Sequence, residues 1–184
     1  MPRTKFTNIP KNDPIRIEQV FAERPGGVLV VDAGFDVFAT TAVGKDANGK
    51  YAIIKCCRVV EDAAADATTI KVAKGSGVAK NDFLAVGKKS VKATNVVTSN
   101  ADYDVVTISM GVAITAGTTL YQAAAASADA AEPIYIPEGV IGNDMPTGIS
   151  AELPMRFIVG ATLRKETACI SPECAAIIGT IKLV

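Results

Sequence analysis

The sequence predicts an all-β protein, mainly antiparallel, built as a small barrel or sandwich with an extended N-terminal arm and a short C-terminal helix. Three observations predict it. Residues 62–122 are short runs of Thr, Val, Ile and Ala cut by Gly, Asn and Asp, at a spacing of roughly ten residues that suits small barrels and sandwiches. Pro2, Pro10, Pro14 and Pro25 interrupt the first 26 residues. Proline fixes φ and lacks a donor, which excludes a long helix or a central strand there. Ser171-Pro172-Glu173 has an N-cap followed by proline at the first helical position.

Taken in order, residues 1–26 read as the arm and residues 27–184 as a β-rich body containing a possible sub-module at 61–122. The arm carries Arg3, Lys5, Lys11, Arg16 and Arg24 together with Phe6, Ile9, Ile15, Ile17, Val20 and Phe21. Those apolar residues need cover, so the arm is expected to lie along another subunit; Phe6, Ile9, Ile15 and Phe21 are the candidate contact residues. Val28–Val31 and Asp36–Val43 read as strands. GKDANGK at 44–50 is a turn with an Asn-Gly pair, and Tyr51–Val60 reads as the returning strand of a hairpin.

Thr68–Ala73 alternates, with Ile70 and Val72 on one face. Gly75-Ser76-Gly77 reads as a hairpin turn before Phe83–Val86. Gly87–Ser90 turns into a long strand, Val91–Thr98. Asn100-Ala101-Asp102 turns again into Val105–Met110, and Thr118–Tyr121 is a further short strand. Residues 122–132 are alanine-rich but lack a large apolar stripe, so a loop or single turn is expected. Met155–Lys165 is a strand with Met155, Phe157, Val159 and Leu163 on one face. The helix after Ser171 should end at Gly179, leaving 180–184 as an edge strand.

Composition narrows the function. The 184 residues hold 19 basic and 19 acidic side chains and no histidine. A neutral chain has no global field to draw it onto nucleic acid and little charge to oppose self-association. Mean hydropathy is +0.28 with 21% charged residues, apolar enough to expect partner-covered surface. Without histidine the commonest general base and nitrogen metal ligand are gone. Cys56 and Cys57, adjacent on a strand, point to opposite faces and should not bridge each other. The Cys169–Cys174 spacing fits no common zinc knuckle, and free thiols in a reducing compartment are expected. No apolar leader and no membrane-length apolar run is seen, so no membrane partner and a cytoplasmic site of synthesis are expected.

Sites suggested by short motifs fail on their spacing. Gly87-Lys88-Lys89-Ser90 lacks the earlier glycine of a phosphate loop, where Asp82 stands. Gly75-Ser76-Gly77 precedes no helix that could hold a dinucleotide. Asp62, Asp66, Asp102 and Asp104 do not follow a calcium-loop pattern. Ser76, Ser90 and Ser171 have no histidine to activate them. No catalytic residue, cofactor or metal site is therefore expected.

The order of ATTIKVAKGSGVAKNDFLAVG, KATNVVTSNADYDVVTIS and AGTTLYQA, followed by a Pro-rich loop and Gly160–Leu163, resembles capsid auxiliary (decoration) or head-fibre proteins of tailed bacteriophages, particularly phages of gut Bacteroidetes. The resemblance implies a non-enzymatic virion protein on the capsid exterior, assembled in the host bacterial cytoplasm. It also implies two partners: the major capsid protein, and the chain itself as a homotrimer. The base of a head fibre and a tail or baseplate adaptor share these arguments. A β-barrel enzyme is the alternative from another class. A carbohydrate-binding module ranks last, since Tyr51, Tyr103, Tyr121 and Tyr135 are the only large polar aromatics.

Overall fold

The computed structural model describes residues 14–184. Thirteen strands and one helix follow in chain order: β1 (Ile17–Val31), β2 (Ala42–Lys45), β3 (Tyr51–Ile53), β4 (Cys56–Arg58), β5 (Thr69–Ala73), β6 (Phe83–Val86), β7 (Lys89–Lys92), β8 (Asn95–Val97), β9 (Tyr103–Thr107), β10 (Thr119–Ala123), β11 (Pro137–Ile141), β12 (Glu152–Leu163), α1 (Pro172–Ile178) and β13 (Ile181–Leu183). The all-β class, the antiparallel character and the short C-terminal helix are as the sequence predicts.

The chain forms a closed barrel that is interrupted by an insertion. The barrel order is β1-β3-β2-β11-β12, and β12 returns to pair with β1. Closure removes the free strand edges that invite aggregation. All barrel contacts are antiparallel except β1 with β3, which meet in parallel at Val30 and Tyr51. β13 extends the sheet by lying parallel to β12, Ala161 facing Ile181. Residues 56–123 sit between β3 and β11 and form two further sheets, β4-β10-β6-β7 and β5-β9-β8.

Local chemistry accounts for several elements. Between β2 and β3, the Asp46 carboxylate accepts from the Asn48 and Lys50 amides at 2.9 Å each, which sets the turn the Asn-Gly pair predicts. The Asn100 side chain accepts from the Asp102 amide at 2.8 Å and so turns β8 into β9. Ser171 caps α1, its hydroxyl accepting from the Cys174 amide at 3.2 Å, and Gly179 ends it with φ 75°. Residues 122–132 hold no helix.

Three strand assignments and one turn are corrected. Of Asp36–Val43, only Ala42 and Val43 belong to a strand, β2, because the chain turns at Ala39-Thr40. Tyr51–Val60 is not one strand: Ile54 and Lys55 carry the chain from the barrel into the insertion, so β3 and β4 belong to different sheets. Val91–Thr98 likewise divides at Ala93-Thr94 into β7 and β8, again in different sheets. Gly75-Ser76-Gly77 is not a hairpin turn, because β5 pairs with β9 whereas β6 pairs with β7 and β10. It joins two sheets, and the Phe35 ring of the barrel rests on Gly77. A Cβ there would lie 2.3 Å from that ring.

The expected boundary between residues 26 and 27 falls inside β1. Ile17 to Arg24 pair with β12 of the same chain, and pairing resumes at Val28 opposite Met155. Pro25, Gly26 and Gly27 form the bulge between, which is where proline is tolerated in a strand. Gly27 has φ 66°, and a Cβ on it would sit 2.2 Å from the Met155 carbonyl oxygen. The amide of Arg164 donates to Arg16 O at 3.0 Å, and that of Lys165 to Val184 O at 2.8 Å.

Three apolar clusters hold these parts. Val28, Val30, Val43, Ile141, Met145 and Phe157 fill the barrel. Ile70, Val72, Leu84, Val106, Ile108 and Leu120 fill the insertion. The third lies at their junction, where Ile54, Ala85, Tyr121, Ile158, Leu163 and Cys174 meet. Each fully buried Ile or Leu contributes about 1.5–3 kcal/mol of transfer free energy, so the junction is a substantial bond between the two parts.

Candidate functional site

Two places carry unspent chemistry: the outer side of the β1–β12 ribbon, and a cleft where the barrel meets the insertion.

On the ribbon, Val20 turns inward against the junction core while Phe21 is 55% exposed. The absence of a side chain at Gly160 makes room for the Phe21 ring, whose Cδ2 would be 3.0 Å from a Cβ there. Along the same ribbon lie two cross-strand ion pairs, Glu18 with Arg164 at 2.5 Å and Glu23 with Arg156 at 2.6 Å. All four charged side chains remain in water, where such pairs contribute at most about 1 kcal/mol. Along β1, Phe21 lies between these two polar pairs. Ile15 is 57% exposed; its carbonyl accepts from the Thr167 hydroxyl, so its backbone is held by its own chain. Of the candidate contact residues, Ile15 and Phe21 thus present apolar surface, and Phe6 and Ile9 lie outside the described residues.

The cleft has a volume of about 270 Å³. Phe35 and Phe38 of the β1–β2 connection form one side, and Ala168 and Cys169, from the connection between β12 and α1, line it too. Arg58 of β4 lines it and is fixed by main-chain oxygens alone, Nη2 donating to Lys165 O at 2.8 Å and to Ala168 O at 3.0 Å. Arg16 stacks on Phe38 with its guanidinium carbon 4.8 Å from the ring centre. Its nearest carboxylate oxygen is Asp144 Oδ1, at 4.0 Å. The Nε of Arg16 is buried and has no hydrogen-bond partner among the described residues. Lys55 and Lys74 also reach the cleft but are neutralised by Asp82 at 2.8 Å and Asp104 at 2.7 Å.

Thr40 braces the cleft from behind. It is fully buried with φ 75°, a left-handed conformation that a β-branched residue rarely adopts. Its hydroxyl accepts from the Cys169 amide at 2.8 Å, and its own amide donates to Ile141 O. Such a backbone costs about 1–3 kcal/mol and persists only when its surroundings enforce it. Burial pushes the Cys169 thiol up, opposed by the positive charges of Arg16 and Arg58.

The cysteines behave as small apolar groups. Cys57 is buried in the insertion core, and its thiol is pushed up to about 12 by burial. Cys56 faces the opposite way, toward the junction, where contact with Cys174 raises its own thiol. All four cysteines are free. Among the described residues no cluster of three His, Cys, Asp or Glu is placed to hold a metal ion. No helix among them is long and apolar enough to cross a membrane. The Gly87 amide, part of the false phosphate loop, donates to the Glu173 carboxylate at 2.8 Å.

Sequence reasoning missed the cleft because its parts are far apart in the chain: Arg16, Thr40, Arg58 and Cys169 share no motif. Compared with protein-family models, curated proteins and solved structures, the chain gives no match.

Proposed function

We propose that this chain is a structural virion protein that docks on the outer surface of a tailed-phage capsid and decorates or stabilises it. In this reading it acts as a homotrimer, has the major capsid protein as its partner and performs no catalysis. The observation that carries the reading is Phe21: a large aromatic ring left half in water, on a strand ribbon rigidly closed into a barrel. Burying the remaining half of such a ring contributes about 1–1.5 kcal/mol per copy, and repetition over an oligomer multiplies the effect through effective concentration. The ribbon is preorganised, so docking there orders little additional chain.

Co-sedimentation with purified capsids tests the proposal. The unaltered chain should pellet with particles, and Phe21→Ser should lose occupancy by about tenfold or more while keeping its thermal midpoint. Unchanged occupancy of Phe21→Ser would remove the ribbon from the interface, and absence of co-sedimentation would remove the capsid. Imaging the labelled particle separates a capsid face from a fibre base or a tail adaptor.

A further inference from the structure

We propose that the cleft between barrel and insertion is a binding site for a small organic carboxylate with an apolar body. The carboxylate would sit against Arg16 and Arg58, and the body against Phe35 and Phe38. This site is separate from the Phe21 surface and does not depend on the docking proposal.

The argument begins with charge. A buried guanidinium nitrogen without an acceptor leaves a desolvated donor unpaired, which costs about 1–3 kcal/mol. Arg16 Nε is in that position. Arg58 gives its Nη groups to carbonyl oxygens, which satisfy donors without cancelling the charge. Two guanidinium groups thus border one cavity; among the described residues Arg58 has no carboxylate partner, and the nearest to Arg16 is Asp144, at 4.0 Å. Asp36 and Glu166 also line it, yet neither forms an ion pair with Arg16 or Arg58 among the described residues. Asp36 instead accepts from the Thr147 amide at 2.9 Å.

Those two acids set the ligand's charge. They oppose a dianion such as a phosphate monoester more strongly than a single carboxylate, whose one charge the two guanidinium groups balance. Size and lining set the remainder. A cavity of about 270 Å³ falls just under the usual range for drug-sized ligands, about 300–1,000 Å³, so one ring or a short chain fits. Phe35 and Phe38 offer aromatic walls, and Phe35 is fixed in place by Gly77. Thr40 holds the Cys169 amide at 2.8 Å and so fixes that part of the cleft lining.

Titration of the full chain with phenylacetate, followed through backbone amide NMR shifts, tests the site. Saturable shifts are expected at Phe38, Arg58, Ala168 and Cys169, with Kd at or below about 1 mM. Phenylacetamide, of the same shape but uncharged, should bind about tenfold or more weakly, as should phenylacetate to Arg16→Gln or Arg58→Gln. Should either variant fail to fold, the comparison of acid with amide on the unaltered chain decides alone. Equal binding of the two probes, shifts confined to other residues, or no saturable shift up to about 10 mM would overturn the proposal.

Discussion

At Gly27 the fold depends on a missing side chain. Alanine there would be strained by φ 66° and would also strike the Met155 carbonyl, whereas Gly26, with φ 78°, has nothing within 4 Å. Gly26→Ala should therefore cost about 1–2 kcal/mol, the left-handed penalty alone. Gly27→Ala should cost clearly more, at about 3 kcal/mol or above, since backbone must move to relieve the clash. Urea midpoints of the two variants check the order. Asp32 offers a second test. Its carboxyl is held below the ordinary 3.8, chiefly by the Gly148 amide, then by the Gly34 amide and the Thr147 hydroxyl. A depressed folded-state value stabilises the ionised form. That stabilisation is complete above the unfolded value of about 3.9 and disappears as pH falls through the folded one. The Gly34 and Gly148 amides should lose protection from exchange in that acid window, and Asp32→Ala should lack it already at neutral pH.

Among the elements, α1 is the one whose limits are written locally. Ser171, Pro172 and Gly179 each act on the residues beside them, so their meaning needs no tertiary context. Ser171 is fully buried and its hydroxyl holds the Cys174 amide. Ser171→Ala should lower stability by about 1–2 kcal/mol, read from the thermal midpoint, whereas Ser171→Asp should retain part of the cap. β5 and β6 were equally legible, since alternation and turn residues specify them in place. β3–β4 and β7–β8 were not. Each pair reads as one run of strand-forming residues, and the break reflects a change of sheet partner that short-range pattern does not encode. The same non-locality hid the cleft, whose lining joins Arg16 to Cys169; Phe21 was read only as one of several apolar residues of an arm, and its place on a strand and its exposure come from the structure.

For the molecule as a whole, the junction core decides how the parts respond to stress. Ala85 and Tyr121 of the insertion pack with Ile158 and Leu163 of the barrel and with Cys174 and Ala175 of α1. β4 and β10, which frame the insertion, contribute to that same cluster. The chain should therefore unfold in one transition. Amide protons of β5–β9 and of β1–β12 should exchange with coincident denaturant dependence in native-state hydrogen exchange. A fragment comprising residues 61–122 alone should not fold, since it lacks β4 and leaves Ala85 and Tyr121 uncovered. Two separated transitions would show that barrel and insertion are independent units. The contacts of Arg164 with Arg16 and of Lys165 with Val184 have a practical side. Two neighbouring residues hold the approach to the first strand and the tail of the last. A cargo peptide genetically grafted after Val184 would thus emerge at the same end of β12 as Pro14, across that strand from it. The Asp46–Lys50 tip, exposed at Asn48 and Gly49, is the better place to display an epitope or to open a circular permutant.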